Sequence, residues 1–273
     1  MGTYLVALSF YYQKIPMRNF LIVFAFLFIV GCQSPTTEEQ KNLAQYAVDQ
    51  SIAFHQLEGI ENASYSFDFR DMHYTYEKNQ GRFTYTRTQT DSLGQKVVDK
   101  LTNEGLTRTI DGELANITEE KRIAYTESVN SVIYFFHLPY GLNDAAVIKQ
   151  YNGLVTIKNK QYHEVEITFQ QEGGGTDYTD VFLYWFDETD FSMDYMGYLY
   201  HTDGGGMRFR EAINQRRVND ALIQDYINLK PEDEDIDIHE LDDLYNAGKL
   251  IELSRIINEN VKITWHSDTQ NLN

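Results

Sequence analysis

Strict alternation of apolar and polar residues runs through most of this chain, and helical spacing appears only in short stretches. From Glu38 to Gln56 the apolar positions Leu43, Ala44, Ala47, Val48, Ile52 and Phe54 recur at helical intervals, with Gly59 as a stop, so one amphipathic helix is expected there. Period two then takes over. Tyr65, Phe67 and Phe69 share one face of a strand, and after Asn79-Gln80-Gly81 so do Phe83, Tyr85 and Arg87, which is the pattern of a hairpin. Val97–Leu101 and Leu106–Ile110 continue it, with a turn at Asp111-Gly112. A second helix is expected from Thr118 to Phe136, ended by "HLPYGL", and a third helical piece from Asp144 to Tyr151. Beyond it six strand-like runs follow: Leu154–Lys158, Tyr162–Phe169, Val181–Phe186, Phe191–His201, Met207–Arg217 and Ala221–Leu229. Strands that follow one another through short turns give an α+β fold, mainly β: an antiparallel sheet with a few helices packed on one side.

The N-terminus departs from this pattern. Met17 and Arg18 lead into an apolar run from Phe20 to Val30, then Gly31 and the only cysteine, Cys32. A basic start, a short apolar stretch and a small residue before a cut describe a secretory signal, and the run is short for a membrane span. Ile29-Val30-Gly31-Cys32 resembles the lipobox of bacterial lipoproteins, whose cysteine sulfur is acylated and becomes the new N-terminus. The expected organisation is therefore a signal peptide over 1–31 with Met17 as the start, a lipidated Cys32 and tether over 32–40, and one domain over 41–273. The expected location is the cell envelope, as an outer-membrane lipoprotein facing the periplasm or the cell surface. Stable attachment takes more than one acyl chain.

Charge narrows the partners. The chain carries 23 basic and 41 acidic residues, a net charge of −18, and cleavage before Cys32 removes two more basic residues, Lys14 and Arg18. Such a surface repels nucleic acid and anionic headgroups, so the membrane partner would be reached through the N-terminal lipid. A lone cysteine forms no internal disulfide, and the fold must hold by packing.

Candidate chemistry gathers at one rim. In an up-and-down meander alternate turns share an end, which brings Gly173-Gly174-Gly175 beside Gly204-Gly205-Gly206. With a four-residue loop, Thr202 would face Met207, His201 would face Arg208 and Leu199 would face Arg210. His201, Arg208 and Arg210 then share a face, with Asp177 and Tyr178 approaching from the next strand. Arginine forks and free backbone N–H groups suit a carboxylate or phosphate. A purely structural reading stands beside this one and is the simpler, with glycine hairpins needing positive φ and the arginines pairing Asp203 and Glu211.

Other chemistry finds no pattern. Neither glycine triplet opens a clear helix or precedes Lys-Ser or Lys-Thr, so no nucleotide loop is expected. The seven histidines lack metal-ligand spacing. "EDEDIDIHELDD" fails as a calcium loop at Ile238 and Leu244 and reads as the lead-in to a short helix ending near Gly248. No GxSxG elbow occurs, and lipidation of Cys32 excludes a cysteine nucleophile. No cofactor is implied.

The strings "FFHLPYGLNDAAV", "VFLYWFDETDFSMDYMGYLYHTDGGGMRFREA" and "QDYINLKP" resemble a family of Gram-negative envelope lipoproteins, over most of the chain after residue 40. That family is similar in fold to the periplasmic lipoprotein carriers, LolA-like proteins. The resemblance implies a curved antiparallel sheet, an incomplete barrel, closed by helices over an apolar cavity. It carries no catalytic residues and no cavity positions across. The residues of Phe191–His201 agree with a covered sheet: Phe191, Met193, Tyr195 and Leu199 fall on one face, Met196, Tyr198 and Tyr200 on the other. A strand apolar on both faces is covered on both. Three functions stay open: a non-enzymatic binding module for an apolar or amphipathic ligand, an envelope interaction protein without a ligand, and an enzyme using the His201, Arg208 and Arg210 rim.

Overall fold

The computed structural model describes residues 37–172, 178–201, 204–233 and 235–266. Helix α1 spans Thr37–His55. A first seven-stranded sheet follows: β1 (Ala63–Phe69), β2 (Met72–Asn79), β3 (Arg82–Thr90), β4 (Lys96–Thr102), β5 (Gly105–Ile110) and β6 (Glu113–Leu114), with β14 (Asn258–Trp265) added beside β1. Helix α2 (Glu119–His137) leads to the second sheet: β7 (Val147–Ile157), β8 (Lys160–Phe169), β9 (Val181–Asp187), β10 (Met193–Tyr200), β11 (Gly206–Val218), β12 (Ala221–Pro231) and β13 (Leu250–Ile256). Short helix α3 (Leu241–Asn246) lies between β12 and β13. Every strand pairing is antiparallel, and the order is β14-β1-β2-β3-β4-β5-β6 in one sheet and β13-β12-β11-β10-β9-β8-β7 in the other. Only residue 257 separates β13 from β14, so one stretch of chain passes from sheet to sheet. The assembly stays an unclosed barrel, the α+β, mainly β fold that the alternation implied.

Helix α1 forms where the apolar spacing put it. Ala44, Ala47, Val48 and Ile52 are buried on the second sheet with Tyr184, Phe186 and Met196. Acidic Glu38 and Glu39 stand in its first turn, where the helix dipole favours them. The side chain of Thr118 caps α2 by accepting from the Lys121 N–H.

Helix α2 lies over the first sheet across two ranks of opposed side chains. One rank is Ile263, Tyr65, Tyr76, Tyr85, Leu101 and Leu106, in which Tyr65 and Tyr76 stack with centroids 4.4 Å apart. The next is Phe67, Tyr74, Arg87, Asp99 and Arg108. Asp99 is fully buried: Arg87 Nε and Nη2 donate to its Oδ2 at 3.0 and 2.7 Å, and Arg108 Nε donates to its Oδ1 at 2.6 Å. Both arginines also hold α2. Arg87 Nη1 donates to Ser128 Oγ at 2.6 Å, and the Arg108 guanidinium lies 3.5 Å from the Tyr125 ring centre.

Two expectations are corrected. Residues 144–151 are not helical: a 3₁₀ turn ends at Asn143 and β7 begins at Val147, pairing with β8 from Val147 opposite Phe169. Ala145 to Ile148 form a contiguous apolar run that marks neither period, and the pairing with β8 decides. The face assignment along Phe191–Tyr200 is also changed. A bulge between Met193 and Tyr195 turns Phe191 and Met193 to the α1 side with Met196 and Tyr198, leaving Tyr195 and Leu199 on the other. That second side is covered by the chain itself, through Ile236, Ile238, Leu241, Tyr245 and Leu250. Gly197 allows the close fit, since a Cβ there would stand 2.7 Å from Leu241 Cδ1 and 3.3 Å from Trp185.

Replacing Asp99 by Ala leaves two buried guanidinium groups uncompensated and should cost about 3–5 kcal/mol, read as a lower denaturation midpoint in urea. Acid should weaken the fold through two histidines, His55, which is buried, and His137, which is half-buried among aromatic rings. Burial lowers His55 to about 4 and His137 to about 3. Both are neutral when folded and protonate below about 6.5 when unfolded, so stability is complete above that pH and falls as pH drops toward 4. Burial raises Asp242 to about 6, which works in the opposite sense. The thermal midpoint should therefore fall between pH 6.5 and 4.5, and more steeply in Asp242→Asn.

Candidate functional site

A cavity of about 640 Å³ lies between α2 and the inner face of β8 to β13. Phe135, Phe136 and Val132 of α2 form one wall, and Phe169, Phe182, Tyr198, Tyr226 and Ile256 of the sheet form the other. Phe69 and Arg70, at the end of β1, Asn258 of β14, and the polar Glu127, Asn130 and Ser131 of α2 also line it. The volume is that of a small-molecule site, and so is the mixture of aromatic lining with a few polar groups. Burial pushes Tyr134 and Tyr226 up to about 12, so these hydroxyls stay neutral.

The register of β10 with β11 decides which groups enter. Tyr200 opposes Gly206, Tyr198 opposes Arg208 and Met196 opposes Arg210. The connecting loop spans residues 201–205, longer than the four-residue loop expected, and Gly204 and Gly205 take φ of 91° and 73°. The pairing is shifted by three residues from the expectation, an odd number, which reverses one strand's faces relative to the other. Arg208 and Arg210 therefore share the inner face with Tyr198, not with Leu199, and both line the cavity. His201 lies beyond β10 with an exposed ring. Its Nδ1 is 3.2 Å from Asp180 Oδ1, which also accepts from its backbone N–H at 3.2 Å. Asp180 is buried and lines the cavity, so His201 reaches the site only through that carboxylate. Tyr178 is half-buried in the turn before Asp180. Asp177 and Gly173-Gly174-Gly175 lie outside the described residues, as does Cys32.

Of the arginines that pair with no carboxylate among the described residues, Arg70, Arg82 and Arg217 are exposed, whereas Arg208 is half-buried and Arg210 buried. Arg87, Arg108, Arg122, Arg216 and Arg255 each meet a carboxylate. Among the described residues no ion pair is made by Arg208 or Arg210. Arg208 is half-buried, donating to Met207 O at 2.7 Å and Tyr200 Oη at 2.6 Å. Arg210 is 8% exposed and donates from Nη2 to Tyr198 Oη at 2.8 Å. Its guanidinium lies 4.0 Å from the Phe135 ring centre and 5.1 Å from that of Tyr198, and its Nε–H has no acceptor. Ring faces attract the cation, yet a buried charge without a counter-ion is costly. An anion entering the cavity would supply what is missing.

Sequence reasoning reached both arginines but missed Phe135, Tyr226 and Asn228. Their signal was present in "QDYINLKP", where Tyr226 and Asn228 alternate on one face, but only the pairing of β12 with β11 puts that face beside Arg210. Among the described residues no group of three or more metal-ligating side chains is placed to hold an ion, and no helix is long and apolar enough to cross a membrane.

The chain belongs to the family of unknown function DUF6503, whose model matches residues 18–258. No curated protein matches it in sequence. Among solved structures it is similar to a DUF1329 family protein from Desulfovibrio piger, at 9% identity over 83% of this chain and 94% of that one, with a TM-score of 0.40. It is also similar to a LolA superfamily protein from Nitrosomonas europaea, at 10% identity over 80% and 92%, TM-score 0.42. The lipoprotein LppX of Mycobacterium tuberculosis is a third, at 9% identity over 59% and 90%, TM-score 0.29.

A residue kept for binding at the expense of stability should show it when replaced. Arg210→Met keeps the bulk and removes the unpaired charge, so the thermal midpoint of the ligand-free protein should hold or rise. A loss above about 1 kcal/mol would show that Arg210 is structural.

Proposed function

We propose that this protein is a membrane-tethered, non-enzymatic binding module that takes an amphipathic ligand into the cavity beneath α2. The observation that carries this reading is Arg210: a guanidinium buried in an aromatic-walled cavity, without a carboxylate partner among the described residues. Phe135, Phe182 and Tyr198 offer apolar surface to a ligand tail, while Arg208 and Arg210 receive its polar head. His201, with Asp180 and Tyr178, belongs to the rim through which the head would be approached, and Asp177 is assigned to the same rim on sequence grounds alone.

Attachment through Cys32 rests on the segment 17–32, and with it the envelope location. In this reading residues 41–273 form the binding domain and the acyl chains hold it at a membrane. The strong negative charge supports it, since an acidic surface needs lipid for membrane contact.

Two measurements test the halves separately. An organic extract of the purified chain should contain one amphiphile near one per protein, and the same preparation of Arg210→Met should have lost it. Equal amounts from both would identify membrane lipid carried along in purification and contradict the site. The intact mass of the mature wild type should show acyl chains on Cys32, and Cys32→Ala should leave the membrane fraction; an unmodified cysteine would remove the anchor from the proposal.

A further inference from the structure

The inner face of the second sheet places Arg210 between two opposed neighbours, Met196 on β10 and Asn228 on β12. Asn228 in turn opposes Ser254 on β13, and Asn228 and Ser254 line the same cavity as Arg210. Asn228 Nδ2 donates to Ser254 Oγ at 3.2 Å. That leaves its Oδ1 buried without a donor, directly across the strand from the buried Arg210 Nε–H, which lacks an acceptor. The two do not satisfy one another, because the guanidinium is held against the Phe135 ring and tied to the Tyr198 hydroxyl. A donor wanting an acceptor therefore stands beside an acceptor wanting a donor. Each unmet buried group costs about 1–3 kcal/mol, more when charged.

Building on the binding-module reading, we infer that the head of the ligand carries two functions side by side: an anionic oxygen for Arg210 and a hydroxyl that donates to Asn228 Oδ1. A hydroxylated fatty acid has this chemistry, and so does any single-chain lipid whose anionic group lies next to a free hydroxyl. A plain fatty acid meets Arg210 but leaves Asn228 unmet. A neutral alcohol can donate to Asn228 but leaves the guanidinium uncompensated. The opposite amide orientation would turn two N–H donors toward the head and select a phosphate instead, so a phosphate probe separates the two arrangements.

Short probes keep the test free of micelles. The full-length chain, held in amphipol, would be titrated calorimetrically with 3-hydroxyoctanoate, octanoate, octyl phosphate and 1-octanol. One well-formed hydrogen bond to a buried group is worth about tenfold in affinity. The expected order is 3-hydroxyoctanoate about tenfold tighter than octanoate, and octanoate at least tenfold tighter than 1-octanol. Asn228→Leu should erase the first difference and keep the second, while Arg210→Met should erase the second. Asn228→Val, which also lacks a side-chain acceptor and suits a strand, serves if the leucine variant unfolds on heating at a much lower temperature than wild type. A hydroxyl preference that survives in the Asn228 variants, or octyl phosphate binding tighter than 3-hydroxyoctanoate, overturns the inference. If 1-octanol binds as tightly as the acids, the cavity stands as an apolar site and this head assignment falls. If none of the four binds, the binding-module reading falls with it.

Discussion

Everything on the inner side of this protein depends on α2 being fastened to the first sheet. Its attachment is unusual for a helix on a β-surface, because only Val129 and Ile133 of its nineteen residues are buried apolar side chains. The remaining grip is polar and aromatic: Asp99 pulls Arg87 and Arg108 into one rank of the sheet, and they reach Ser128 and Tyr125 of the helix. A carboxylate so buried is tolerable because both oxygens are filled by guanidinium donors. Held from that side, α2 meets the second sheet through Tyr134 and through the Phe135 ring, which contacts Tyr198 and the Arg210 guanidinium. The space left between them is the cavity.

The molecule thus uses buried arginine in two ways, and the contrast gives the cavity its meaning. Arg87 is a neutralised component of the fold, with a carboxylate at 2.7 Å. Arg210 is equally buried, yet the groups that hold its guanidinium are aromatic rings and a phenol, with no carboxylate paired to it among the described residues. Packing alone gives no reason for a charge there, since an apolar side chain would fill the same space without the desolvation cost. A requirement for an anion does give one, and the unfilled carbonyl of Asn228 across the strand adds a second requirement to the same place.

Much of the architecture was legible from period alone. The hairpins of the first sheet follow from alternating aromatics and Asn-Gln-Gly, and α1 and α2 follow from apolar spacing and the Thr118 cap. Two kinds of detail were not. In residues 144–151 the apolar positions Ala145 to Ile148 are contiguous and follow neither period, and the partner β8 settled it. The faces of β10 were reversed in part by a bulge and by a hairpin loop one residue longer than assumed, and no local pattern encodes either. Arg208 and Arg210 stood out in the sequence as charges in a strand, but their company did not. Phe135 comes from a helix some seventy residues earlier, and Asn228 was an ordinary polar position until β12 was placed beside β11.

The state of the Arg210 Nε–H is the most direct measure of the central claim, that this guanidinium awaits an anion. Its resonance can be followed by nitrogen-15 NMR of arginine-labelled protein while octanoate is added, with Arg210→Met identifying the signal. A strong downfield shift with slowed solvent exchange, saturating at one equivalent, is the result expected of a charge-assisted hydrogen bond formed in the cavity. A resonance that stays unchanged while the surrounding aromatic signals respond would mean that the ligand enters without meeting Arg210, and the account of the site would be wrong.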